Sequence, residues 1–401
     1  MKLTATAVDT SPDHAGWVRL IAEVEYKRAS IKRERLWFAV PAELERDFSR
    51  TGNPWLACMA PIAAQLGEDV HIDLPVDAQL CRGVHQVFSI WKSWYPELTV
   101  PELHIGNLTG PTEISPNAGV ACFFSGGVDS FFALLHHDSN LYDGESPVRD
   151  LLSVWGFDVP LKNVDAFQRM RRSLEGVARH FEKQLVPIAT NLRVTEFARA
   201  HWGQLSHGAA MAAAALALEP RYSTVLIGSS FKAPWGSHFR TDPLFSTQQT
   251  KFIHYGSDFT RVQKTALVAQ DPAAQTALRV CWRHGSDGNC AHCEKCYRTM
   301  VTLFLLGRLD AFTVFDTAGW DPTQIRNTYL GAYSSVQPFE EILALAESSG
   351  QAAIAECIQQ ALDRSRRIRF CRTLLNPLRR LPFVSGLARR IEWRLLRNLV
   401  T

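Results

Sequence analysis

The chain has 401 residues, 46% of them hydrophobic, 21% charged and 10% aromatic, which excludes a disordered chain and is enough for a full core, with two domains expected. No apolar run approaches the roughly 18–20 residues of a membrane span, and the opening MKLTATAVDTSPDHAG lacks the apolar core of a signal peptide, so a cytoplasmic protein is expected. The net charge of +3 hides an asymmetry: residues 364–401 hold eleven arginines against one acid, Glu392, so an otherwise acidic chain carries a basic tail.

Residues 1–115 read as an N-terminal α+β domain whose role the sequence does not give. GWVRLIAEVEYKR (16–28) and ERLWFAV (34–40) read as strands, from their β-branched and aromatic content and partial alternation. Helical patterns follow near 56–66 and 78–94. PELHIGNLTGPTEISPNAG (101–119) is rich in turn formers and reads as a linker. From 120 to about 309 the pattern changes. VACFF (120–124), LLSVWGF (151–157), QLVPIAT (184–190) and TVLIGSS (224–230) are short apolar runs, separated by helical stretches at 130–137, 164–182 and 205–218. Buried strands spaced by helices imply an α/β domain with a parallel sheet and helices on both faces, which binds ligands at the carboxyl ends of its strands. Residues 310–401 read as a helical C-terminal region, with Pro377 and Pro382 breaking the tail. Within it RRIEWRLLRNLV (389–400) places Ile391, Leu395, Leu396 and Leu399 close to one helical face. Docking on its own domain is the plain reading of that helix. A membrane surface or an acidic partner is the alternative for the arginine-rich tail.

The run ACFFSGGVDSFFALLHH (121–137) ends an apolar strand in Ser125-Gly126-Gly127-Val128-Asp129-Ser130 and then begins a helix. The N–H groups and dipole of a helix start favour an anion, and two glycines permit unusual backbone angles and close approach. Ser125 and Ser130 add hydroxyls. Asp129 would repel a bare phosphate, so its presence points to Mg²⁺ or a polarised pyrophosphate. The loop is not GxxxxGK[ST], because it has no lysine and its spacing differs. On local physics alone, a glycine turn joining strand to helix competes evenly with an anion site.

Nine cysteines include one tight group, CWRHGSDGNCAHCEKC, which spaces Cys281, Cys290, Cys293 and Cys296 as C-x8-C-x2-C-x2-C. Thiolates from C-x2-C turns converge on one tetrahedral ion, and four sulfurs with no open position describe a structural Zn²⁺ site. An iron–sulfur cluster is the competitor, since four cysteines also hold one. His292 reads as a neighbour of the site rather than a ligand.

SGGVDS matches the PP-loop, SGGxDS, of the ATP pyrophosphatases, and the chain is identified as a member of that superfamily, with its adenine nucleotide alpha hydrolase-like fold. The resemblance implies that ATP with Mg²⁺ is bound at Ser125, Gly126, Gly127, Val128, Asp129 and Ser130, is cleaved between the α and β phosphates, and leaves an adenylated substrate. Over roughly residues 120–306 the chain resembles 7-cyano-7-deazaguanine synthases. Those enzymes end in a similar zinc-holding cysteine cluster with a lysine upstream. RVQKTALVAQ (261–270) looks like that segment, which would make Lys264 the residue that meets the leaving pyrophosphate. An exposed helix lysine is the plainer reading. VLIGSSFKAPWGSHFRTDP (225–243) resembles the family's glycine-containing strand end and acidic loop, which implicates Gly228 and Ser229 in ATP binding and Asp242 at the substrate. The chain departs from the family at HWGQLSHGAAM (201–211), where Pro-x-Arg-Asn is missing, and at WGFDVP (155–160), where an FDYGQ-like segment is replaced.

The resemblance implies an AMP- and pyrophosphate-forming carbon–nitrogen ligase. Its acid would be a small molecule or a protein-terminal carboxylate, and ammonia or an amine would attack the adenylate, with Asp129 and Lys264 as catalytic groups. A homodimer is compatible with this. Two other classes compete: a tRNA or sulfur-carrier thiolation enzyme with an iron–sulfur cluster, and a non-catalytic nucleotide-binding scaffold. The departures leave the acid and the amine open.

Overall fold

A computed structural model describes residues 1–11, 15–110, 114–229, 234–281, 288–330 and 336–379, so the amphipathic stretch 389–400 lies outside the described residues. These residues form two compact units, Met1–Phe259 with Ala277–Asp287, and Thr260–Thr276 with Gly288–Thr401.

The first unit is built on alternating strands and helices: β1 (Lys2–Thr10), β2 (Trp17–Glu25), β3 (Arg33–Pro41), α1 (Asn53–Leu66), β4 (Val70–Asp77), α2 (Ala78–Trp94), β5 (Leu103–Thr109), β6 (Gly119–Phe123), α3 (Val128–Ser139), β7 (Val148–Trp155), α4 (Val164–His180), β8 (Gln184–Thr190), α5 (His207–Leu216), β9 (Tyr222–Gly228) and β10 (Lys251–Tyr255). Local chemistry sets several boundaries. Gly67, at φ 67°, ends α1 in the left-handed conformation that glycine tolerates. Asp77 caps α2 by accepting from the N–H groups of Gln79 and Leu80. The sequence HGAAMAAAAL makes α5 apolar on all sides, and Gly208 through Leu216 are buried.

The ten strands form one mostly parallel sheet in the order β10-β9-β6-β7-β8-β3-β2-β1-β4-β5. From β10 to β8 every neighbouring pair is parallel. β8 meets β3 antiparallel, β3-β2-β1 is an antiparallel meander, and β1-β4-β5 is parallel again. Chain order runs outward in both directions from between β6 and β9. In an open α/β sheet such a reversal opens a crevice outside the carboxyl ends of the two strands, where ligands bind.

Two observations differ from the sequence reading. The stretch taken as a linker contains β5, whose HIGNL core is flanked by the proline and glycine that suggested a loop. The sheet also runs across positions 115–120. Phe38 and Ala39 of β3 pair with Thr190 and Ala189 of β8, and Thr190 Oγ1 donates to the Trp37 carbonyl at 2.8 Å.

The second unit is helical: α6 (Arg261–Val268), α7 (Pro272–Ala277), α8 (Glu294–Leu305), α9 (Gln337–Ser348) and α10 (Ala352–Arg379). Its core gathers Val301, Ile325, Leu330, Phe339, Ile342, Ile358 and Leu362. α10 continues through position 377, where proline was expected to break it, and is described as far as Arg379. Among the described residues no helix is long and apolar enough to cross a membrane.

Candidate functional site

The SGGVDS loop leaves the carboxyl end of β6, at the point where strand order reverses. Ser125 is exposed and Gly126 is buried at φ +75°. A Cβ on Gly126 would lie 3.2 Å from the Leu174 side chain and 3.4 Å from the Ala277 carbonyl, a tight fit, and the left-handed backbone angle itself favours glycine. The Gly126 carbonyl accepts from the Arg279 N–H at 2.8 Å, which ties the loop to the returning segment. Gly127 is the N-cap of α3 and offers no side chain to the first turn. Val128 is buried and anchors that turn, and Asp129 is half-buried beside it. Ser130 Oγ donates to the Gly127 carbonyl at 2.9 Å, so its hydroxyl braces the loop from within.

The structure brings β9 against this loop. A Cβ on Gly228 would be 2.7 Å from the Asp129 carbonyl oxygen, so only glycine lets the two backbones approach this closely. Ser229 is buried, and its N–H donates to the Tyr255 carbonyl at 2.9 Å. Six loop residues and the β9 end therefore share one edge of the sheet.

Asp242 is buried on the same unit. Its carboxylate accepts from Ser237 Oγ at 2.6 Å, from the His238 N–H at 3.1 Å and from His254 Nδ1 at 2.8 Å. Sequence reading singled out Asp242 but missed Ser237 and His254. The one available signal was a histidine inside the apolar strand KFIHY.

Lys264 lies in α6 of the second unit and is only 3% exposed, unlike the exposed lysine of the plain reading. Its helix opens with a capping box, in which Thr260 Oγ1 accepts from the Gln263 N–H and the Gln263 side chain accepts from the Thr260 N–H.

Cys281, Cys290, Cys293 and Cys296 each offer one sulfur, and the four sulfurs lie within 4.8 Å of one another. Cys290 and Cys296 are 3.8 Å apart. An ion bound through metal–sulfur bonds of about 2.3 Å sits in a sulfur tetrahedron with edges of roughly 3.8 Å, so the set fits one four-coordinate zinc ion. A cluster whose irons each carry their own thiolate spreads its sulfurs wider than this. The turn between the middle pair is tight: Ala291 has φ 58°, in the left-handed region that non-glycine residues rarely enter. Cys293 caps α8, its sulfur accepting from the Cys296 N–H at 3.5 Å. His292 is exposed and stands outside the four-sulfur group.

The arrangement defines an α/β protein with a glycine loop at a strand-order reversal and a four-cysteine group able to hold a metal ion. No protein-family model matches the chain, and no curated protein or solved structure matches it either.

Proposed function

We propose that the protein is an ATP-dependent, AMP- and pyrophosphate-forming ligase that adenylates a carboxylate or amide for attack by ammonia or an amine. The observation that carries this reading is the SGGVDS loop at the strand-order reversal, with Gly126 at φ +75° and a bare Gly228 packed against Asp129. In this reading the phosphates of ATP rest on the N–H groups at the start of α3, and Asp129 holds Mg²⁺ against them. A substrate oxygen attacks the α phosphate and pyrophosphate leaves, with Lys264 as the cation that meets it. Catalysis is then chiefly positioning and electrostatic stabilisation. The zinc has no open coordination position and builds the fold around α8. The second substrate is a small-molecule or protein-terminal carboxylate.

A product assay tests this. ATP and Mg²⁺ with a panel of amino acids, short peptides and heteroaromatic carboxylates, plus ammonium chloride, should yield AMP and pyrophosphate. Formation of ADP and phosphate would sink the reading.

A further inference from the structure

The interior of the first unit holds a histidine that the proposed loop chemistry does not use. His254 is the fourth residue of β10, and its side chain is 2% exposed. Its Nδ1 lies 2.8 Å from Asp242 Oδ2. A carboxylate that already takes hydrogen bonds from Ser237 and from the His238 N–H only accepts, so Nδ1 carries the proton. The other nitrogen of the neutral ring, Nε2, is then a lone-pair acceptor. It is buried and has no hydrogen-bond partner among the described residues. Leaving such an atom unmet inside a fold is costly, which needs a reason.

The position of the pair supplies one. α5 connects parallel strands β8 and β9, so it starts at the carboxyl edge of the sheet. Gly208, in its first turn, faces Asp242: a Cβ there would be 2.4 Å from Asp242 Oδ1 and 2.6 Å from the Gly236 carbonyl. A π-helical turn, Trp202–Ser206, precedes it, and such turns concentrate at functional sites. Gly236 clamps the region by donating to the Gly203 carbonyl and accepting from the Gly208 N–H, both at 2.7 Å. His254 is the last residue but one of β10, so it lies near the carboxyl edge from which the loop leaves, on the sheet face that α5 covers.

We propose that His254, oriented by Asp242, is the proton acceptor for the second half-reaction. This rests on the adenylation reading above. Ammonia or a primary amine attacks the acyl carbon of the adenylate and a C–N bond forms. The bond from that carbon to the phosphate oxygen breaks, and AMP leaves with the electron pair. The proton shed by nitrogen passes to His254 Nε2, and the imidazolium is held by the Asp242 carboxylate. Asp242 is a positioning residue that fixes the tautomer.

The test uses the full chain with Mg²⁺, ATP and the carboxylate panel, with either ammonium chloride or hydroxylamine as nucleophile. Hydroxylamine is largely uncharged at neutral pH and strongly nucleophilic, so it needs little help from a base. His254→Gln is expected to lower the ratio of amide to hydroxamate by about 100-fold, the scale of general base catalysis. Equal loss of both products, or an unchanged ratio, would overturn the proposal while leaving adenylation intact. Failure of the wild-type chain to release pyrophosphate with any acid would overturn both readings. Asp242→Asn, of equal size, is expected to move the His254 proton to Nε2 in nitrogen-resolved NMR spectra of the folded protein and to lower the same ratio. A proton already on Nε2 in the wild-type protein would overturn the assignment.

Discussion

The first unit has a core that runs under ten strands, from Leu3 and Val24 through Leu216 to Phe252. The second gathers a much smaller core among helices, around Val301, Phe339 and Ile358, and enters α8 through three closely spaced cysteines. Buried apolar area grows with the size of a folding unit, so the first has the larger core to stand on, and a metal held in part by Cys290, Cys293 and Cys296 would add to the second. Asp129 lies in the first turn of α3, and Asp242 pairs with His254 of β10, all within the first unit. The sulfurs carry no reaction in this reading and hold shape.

Removing metal should separate the two units most sharply. Cys296→Ser, or a zinc chelator, is expected to cost several kcal/mol in the second unit. Hydrogen exchange should show protection lost across α8 and α9 and kept across β6–β9. Loss across the whole chain would erase the contrast. A metal analysis finding iron and acid-labile sulfide would favour the thiolation class instead.

Asp129→Asn should do the reverse. Turnover of ATP to AMP and pyrophosphate should fall about 100- to 1000-fold, the effect of losing one electrostatic contact in a preorganised site, with the melting temperature unchanged. Retained turnover would return the SGGVDS loop to a structural turn.

A smaller effect is expected at Glu219, a buried carboxyl of the first unit. Burial raises its pKa, against hydrogen bonds from Thr247, Asn53 and Thr51 that lower it. The folded state therefore holds this proton more tightly than the unfolded state. Its contribution to stability is complete below the unfolded carboxyl range and is lost as pH rises through the raised folded value. Glu219→Gln, which keeps a neutral group there, should raise the melting temperature at pH 8 by about 2 °C and by less at pH 4.5. An equal shift at both pH values would show that charge is not the cause.

The smallest expected effect is at the zinc turn. Ala291→Gly relieves the left-handed backbone at φ 58° and should stabilise the second unit by less than about 1 kcal/mol, read as a small rise in its denaturant midpoint.

Much of the first unit was legible because its signals are local. α2 spans the same residues, 78–94, in the pattern and in the fold, and β8 spans the same 184–190. The loop and the four cysteines declare themselves through spacing. β5 was hidden because its flanking Pro101 and Gly110 look like loop, and its exposed edge position leaves weak alternation. The β3–β8 junction was hidden because hydrogen bonds between distant strands leave no trace in either segment. The Asp242–His254 pair was hidden for a related reason: the two residues belong to different elements, and only the fold brings His254 to the carboxylate.

That β3–β8 junction has a consequence for how the chain is made. The Thr190 hydroxyl and the Trp37 carbonyl that seal it are 153 residues apart in sequence. At about 5–20 residues per second, synthesis of the intervening chain takes roughly 8–30 s. Throughout that interval the outer edge of β3 is an unpaired ribbon of N–H and C=O groups on a half-finished protein. A ribosome-bound chaperone that shields such edges would therefore matter more to the yield of this protein than its final stability suggests.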